Sequence, residues 1–135
     1  MKKRKTVIIF GATGYIGEKI SVELAKYDLN LVLHGKSKKK LISLDDKIRG
    51  LGKKSTLINC DFCNSDNFKK LAFSISQKYT NIDCIINAIG IIEKLCPLTD
   101  LTFEEWDKMI SINLSSNWKI LKNLESLLMN SVAPK

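Results

Sequence analysis

Near the start of the chain, two arrangements are built from residues that do chemistry. In TVIIFGATGYIGEKI, Thr6 to Ile20, an apolar run is followed at once by Gly11, Gly14 and Gly17, and Tyr15 stands four residues before Lys19. Glycines in a strand-to-helix turn leave backbone amides open at the positive end of the helix, where a pyrophosphate can approach them. A tyrosine one helical turn from a lysine suits proton transfer, because a neighbouring cation favours the phenolate. Both uses cannot hold at one place. A tyrosine beside a phosphate-binding turn stands roughly 10 Å or more of extended cofactor away from a site of hydride transfer. The glycines stand directly after an apolar run and so take the phosphate role, with Gly11, Thr13, Gly14, Tyr15, Ile16 and Gly17 as candidate contacts. Tyr15 and Lys19 then form a decoy pair, and Lys19 reads as a surface helix residue.

A second chemical signal follows the next apolar run, in LVLHGKSKKK from Leu31 to Lys40. A dinucleotide fold tests the adenosine ribose at this strand end, and a carboxylate there would bond the 2′-hydroxyl and repel a 2′-phosphate. No carboxylate is present. Lys36 and Ser37, backed by Lys38, Lys39 and Lys40, form a cationic corner that suits a 2′-phosphate, so NADP(H) is favoured over NAD(H). The one histidine, His34, ends the predicted strand and reads as a structural or rim residue. Cys60 and Cys63 have C-x-x-C spacing, but with only Cys84 and Cys96 besides, no second close pair or nearby histidine completes a zinc site. The four cysteines read as buried or half-buried free thiols.

Regular elements must hold these groups in place. Short, nearly continuous apolar runs at Thr6–Phe10, Asn30–His34, Ser55–Cys60 and Ile82–Asn87 read as strands covered on both faces. Tyr15–Tyr27, Lys38–Arg49 and Ser65–Tyr79 read as helices between them. Strict alternation of strand and helix predicts an α/β fold with a parallel sheet and right-handed crossovers. A longer helix should begin near Phe103, since Thr102 and Glu105 have capping-box spacing. Its helical spacing of Phe103, Trp106, Ile110, Asn113, Asn117, Leu121, Leu124 and Leu128 predicts a buried stripe, with Asn113 and Asn117 on or beside it. The tail from Ser131 to Lys135 is expected to fray.

The 135 residues, 44% hydrophobic and 27% charged, suit a single domain over 1–135. With 22 Lys and Arg against 14 Asp and Glu, the net charge of +8 invites an anionic partner. A small-molecule dinucleotide fits this better than nucleic acid, because the lysines scatter over several helices and aromatic residues do not interleave with them. The basic start MKKRKTVIIF meets Gly11 before an export signal's apolar core can form, and nothing later reaches the ~18 apolar residues of a membrane span. A cytoplasmic protein with no membrane partner is expected.

With these motifs in place, the sequence resembles the short-chain dehydrogenase/reductase family from Thr6 to about Leu128. Besides the glycine loop, CDF at Cys60 to Phe62 is similar to the family's acidic turn after the third strand, which implies Asp61 and Phe62 at the adenine. DCIINAIGI, Asp83 to Ile91, is similar to its Asn-Asn-Ala-Gly segment, matched as Asn87, Ala88, Ile89 and Gly90. WDKMISINL, Trp106 to Leu114, resembles the segment whose asparagine is catalytic, here Asn113. The loop spacing Gly-x-x-Gly-x-x-Gly is that of the family's extended branch, while the Asn113 segment is that of its compact branch. Ala88 and Ile89 depart from the usual Asn-Asn-Ala run.

The resemblance implies a Rossmann-like, three-layer, doubly wound parallel sheet, here partial, with about four strands in the order 3-2-1-4. It also implies hydride transfer between a nicotinamide and a carbonyl or secondary alcohol, served by a serine and a Tyr-x-x-x-Lys pair placed after the Asn113 helix. Tyr27 and Tyr79 are followed four residues on by Leu31 and Asp83, so neither supplies that pair. The chain is therefore expected to be the cofactor-binding portion of such an enzyme, truncated before those groups and inactive alone. The alternative is a non-catalytic dinucleotide-binding or partner-docking module. In either case the fourth strand should present an open apolar edge, and the helix from Phe103 resembles one that pairs across a dimer. Self-association or a complementing C-terminal half would cover them.

Overall fold

The computed structural model describes residues 4–135. Four strands, β1 (Lys5–Phe10), β2 (Leu29–Gly35), β3 (Ser55–Asn59) and β4 (Cys84–Asn87), form one parallel sheet in the order β3-β2-β1-β4. The helices α1 (Tyr15–Leu24), α2 (Lys38–Gly50) and α3 (Asp66–Ser76) lie between successive strands, and α4 (Phe103–Ile110) and α5 (Ser116–Met129) follow β4.

Successive side chains of a strand point to opposite faces, and β1 is apolar on both. Ile8 and Phe10 join a core with Phe68, Leu71 and Ile75 of α3 and Ile120, Leu124 and Leu127 of α5. Val7 and Ile9 join a second core with Leu41, Leu44 and Ile48 of α2, against which Ile20, Val22 and Leu24 of α1 also pack. Two cores separated by one sheet make the expected three layers. Register places Val7 beside Leu31 and Cys84, so the carboxyl ends of β1, β2 and β4 come together. That is the edge at which open α/β sheets take ligands.

Three expectations need correction. The helix from Phe103 starts as its capping box requires, with Thr102 Oγ1 accepting from the Glu105 amide at 3.2 Å and Glu105 accepting from the Thr102 amide at 2.8 Å. It does not run on unbroken, because Ser111–Ser115 form a π-helical turn between α4 and α5. The wider turn is served by side chains: Ser116 Oγ donates to the Ile112 carbonyl at 2.6 Å and Asn117 Nδ2 to the Asn113 carbonyl at 2.8 Å. The expected buried stripe holds only at Leu124 and Leu128. Phe103, Trp106, Ile110 and Leu121 are exposed, while Ile112, Ser116, Ile120, Leu124 and Leu127 face the core. One extra residue in the π turn rotates α5 by about 100° relative to a continuous helix, and α4 buries no residue at all.

The tail is ordered rather than frayed. Ser131 Oγ donates to Asp83 at 2.6 Å. The Lys135 amide donates to the Asp83 carbonyl at 3.0 Å, and the Lys135 carbonyl accepts from the Ile85 amide at 2.9 Å. This is a parallel bridge opposite Cys84, so one residue already covers the start of the β4 edge. Beyond it a groove of about 820 Å³ lies between that edge and α5, lined by Ile85, Ile120, Leu121 and Leu128 among others.

Candidate dinucleotide site

The glycine turn joins β1 to α1, and each glycine is required for a different reason. Gly11 has φ of +71°, and a Cβ on it would lie 2.7 Å from the Ala88 carbonyl oxygen, so this turn packs directly on the segment after β4. A Cβ on Gly17 would lie 2.1 Å from the Gly11 carbonyl oxygen, which fixes α1 against the turn. At Gly14 the nearest atom would be 3.4 Å away, an ordinary contact. Packing therefore does not explain Gly14, whereas a ligand approaching the backbone would. Gly14 is also the N-cap of α1, and no side chain caps that helix. Its first-turn amides remain available to an anion.

Tyr15 and Ile16 are 80% and 65% exposed on this open first turn. Lys19 Nζ sits 4.8 Å above the Tyr15 ring, so the pair lies on the surface beside the glycine turn. Glu18, an acid in that turn, is paired with Lys47 of α2 at 2.6 Å. Thr13 packs on Gly35, where a Cβ would come within 2.9 Å of the threonine side chain.

A cavity of about 290 Å³ opens beside the turn, lined on one side by Gly11, Thr13 and Gly14 and on the others by the ends of β2, β3 and β4. At the β2 end, Lys36 Nζ pairs with Asp61 at 2.8 Å. Asp61 also accepts from the Cys63 amide at 3.0 Å. That amide and the Lys36 ammonium hold the Asp61 carboxyl down at about 2, and the same pairing raises the Lys36 ammonium. The expected 2′-phosphate contact and the expected adenine contact are thus ion-paired neighbours. Asn59 Nδ2 donates to the Gly35 and Lys36 carbonyls at 3.0 and 2.8 Å and fixes the backbone that carries the lysine. Ser37 is engaged as the N-cap of α2, accepting from the Lys40 amide at 3.4 Å.

At the β4 end the structure adds two residues, Asn117 and Lys108, to the candidates. Asn113, in the π turn, accepts from the Ile91 amide at 2.8 Å and donates to the Ile91 carbonyl at 2.9 Å, clamping the segment that contains Ala88, Ile89 and Gly90. Asn87 accepts from the Ile89 amide at 3.0 Å and donates to Asn117, which in turn bonds the Asn113 carbonyl. Asn117 was not among the candidates, although its place four residues after Asn113 was the signal. Lys108 of α4 also lines the cavity, pairing with Glu93 at 2.5 Å, and nothing in the local sequence marked it.

Residues 5–132 match the model of the short chain dehydrogenase family. The chain belongs to that family. Among curated relatives, it is 28% identical over 112 residues to a 3β-hydroxysteroid dehydrogenase of Mediterraneibacter gnavus, covering 83% of this chain and 41% of that protein. It is 23% identical over 132 residues to the Escherichia coli oxidoreductase YciK, covering 96% of this chain and 52% of that one. The chain thus spans about half the length of the curated relatives it matches. Solved structures show the same fold. A short chain dehydrogenase from Shigella flexneri complexed with NADP superposes with a TM-score of 0.90 at 24% identity, over 96% of this chain and 56% of that one. One from Pseudomonas syringae gives 0.92 at 21% identity, over 98% and 55%. Among the described residues, no helix is long and apolar enough to cross a membrane.

Proposed function

We propose that this chain is the NADP(H)-binding portion of a short chain oxidoreductase that moves a hydride between a nicotinamide and a carbonyl or secondary alcohol. The observation that carries the reading is the cavity between the uncapped N-terminus of α1 at Gly14 and Lys36 at the end of β2. Bound there, the cofactor would supply the hydride. The chain's residues would hold it: the α1 amides on the pyrophosphate, Lys36 on a 2′-phosphate, Asp61 on the adenine amino group. Asn113, already clamping the segment after β4, would support the nicotinamide end. The Shigella relative's complex with NADP supports this choice of cofactor.

Proton transfer is assigned to a complementing segment. Tyr15 lies at the phosphate end, and Tyr79 bonds Thr56 at 2.7 Å at the amino ends of the strands, away from Asn113. Calorimetric titration with NADPH and NADH is the test. NADPH should bind more tightly than NADH, and Lys36→Ala should weaken NADPH by about tenfold, the worth of one charge-assisted contact, while leaving NADH within about twofold. Equal loss for both cofactors would remove Lys36 from the 2′-phosphate, and no binding of either would overturn the reading.

A further inference from the structure

We infer that His34 is a positioning residue of the dinucleotide site, its neutral imidazole setting the spacing between the phosphate-binding turn and the adenine-side loop. The inference rests on the dinucleotide-binding reading above and assigns a role that the sequence did not suggest. His34 is 4% exposed, at the end of β2 where the carboxyl ends of β1 and β3 meet it, and it forms part of the cavity wall.

The two ring nitrogens face opposite sides of the site. Nδ1 accepts from the Gly11 amide at 3.4 Å, and Nε2 lies 3.1 Å from the Cys60 carbonyl oxygen. Since a carbonyl only accepts, Nε2 carries the proton and Nδ1 is left as the acceptor that the Gly11 amide needs. The His34 carbonyl also accepts from the Ala12 amide at 2.9 Å. One residue therefore holds the first two amides of the glycine turn and the residue before Asp61. The ring stacks on Phe62 with centroids 4.4 Å apart and planes 7° from parallel, and Phe10 lies against it at 5.4 Å. Phe62 stacks in turn on Phe68 of α3 at 4.3 Å.

A second proton would destroy the arrangement, because it would set Nδ1–H against Gly11 N–H. Of the charged groups nearby, Asp61 on the β3–α3 segment favours the imidazolium, and Lys36 and Lys108 line the same cavity as cations. The Cys60 thiol is neutral, and the glycine turn contributes no charged side chain. Burial outweighs the pull of Asp61 and keeps the ring neutral.

The test divides the ligand. A dinucleotide spans the turn and the adenine-side loop, whereas 2′,5′-ADP needs chiefly the adenine side. His34→Phe keeps the stack on Phe62 and loses both hydrogen bonds; His34→Asn is too short to bridge; His34→Gln carries a donor and an acceptor on a longer stem. Calorimetry should show His34→Phe and His34→Asn weakening NADPH by about tenfold while 2′,5′-ADP stays within about threefold, and His34→Gln recovering most of the NADPH affinity. If His34→Phe does not fold, as judged by its thermal melt, the Asn and Gln variants carry the comparison. NADPH binding unchanged in both bridge-breaking variants, or both ligands weakened alike, would overturn the inference. Wild-type protein that binds neither ligand would instead overturn the dinucleotide reading, and this inference with it.

Discussion

A methyl group at Gly14 would meet an ordinary contact and one at Gly17 would meet a backbone oxygen at 2.1 Å, so the two substitutions report on different things. Gly17→Ala should destabilise the chain by about 3 kcal/mol, since backbone must move to admit it. Gly14→Ala, at an N-cap with φ −78° and ψ 169° that any residue adopts, should cost within about 1 kcal/mol. It should nonetheless weaken NADPH by at least about tenfold, because the methyl group projects where the pyrophosphate would approach. Urea denaturation and calorimetry on the same two proteins separate these effects. The glycines were legible because each punctuates a strand-to-helix turn. The Lys36–Asp61 pair was not, as a pair: the residues are 25 apart in sequence, and only the register of β2 against β3 brings their ends together. His34 was legible as a structural or rim residue, but not its partners, since Gly11 and Cys60 follow the ends of two other strands.

His34 also carries a pH dependence. Burial lowers its imidazole to about 4, against about 6.5 in an unfolded chain. As pH falls through 6.5 the unfolded state takes the proton first, so stability is full above 6.5, declines between 6.5 and 4, and levels off below 4. The total is about 3 kcal/mol. The Asp61 carboxyl, depressed from 3.8 to about 2, contributes stability that is lost as pH falls from 3.8 to about 2, below that window. Urea midpoints at pH 7, 5.5 and 4.5 should fall progressively in the wild type and much less in His34→Gln. Parallel declines in the two proteins would place the titration elsewhere.

Among the elements, the boundaries that sequence marks with specific chemistry were the ones it located. Thr102 caps its helix where expected, and Thr102→Ala should lower stability by about 1 kcal/mol, measured as a shift in urea midpoint. The four strands followed from apolar runs, as expected of strands covered on both faces, while their order 3-2-1-4 was implied only by the family resemblance. The π turn carried no such mark. SINLS is compatible with an ordinary helix, and the wider turn becomes favourable only when Ser116 and Asn117 take its carbonyls and Asn113 reaches Ile91. The orientation of the last helices was likewise beyond local pattern. The segment from Phe103 to Met129 has apolar residues on two sides, and which side is buried depends on where α3 and the sheet stand.

At the scale of the whole molecule, two apolar surfaces remain, and they call for different occupants. The outer side of α4 and the π turn exposes Phe103, Trp106 and Leu114, at 90%, 47% and 65%, while Trp118 of α5 lines the groove beside β4. Isolated exposed apolar residues are normal, but a row of this kind along one helical surface suits a second protein surface. The groove beside β4 differs, because it adjoins a strand edge whose first position Lys135 already occupies in parallel. A parallel ladder begun at Cys84 continues most simply by adding strand, so we propose a complementing segment for the groove and a second copy of this chain for the helical row. Leu114 does not line the groove, and Met129, 75% exposed, does. Leu114→Lys should therefore shift the chain toward monomer in sedimentation equilibrium while leaving capture of a complementing C-terminal half intact. Met129→Lys should weaken that capture and leave self-association unchanged. If both variants alter both measurements equally, the two surfaces are one interface, and the complementing half competes with the second copy for it.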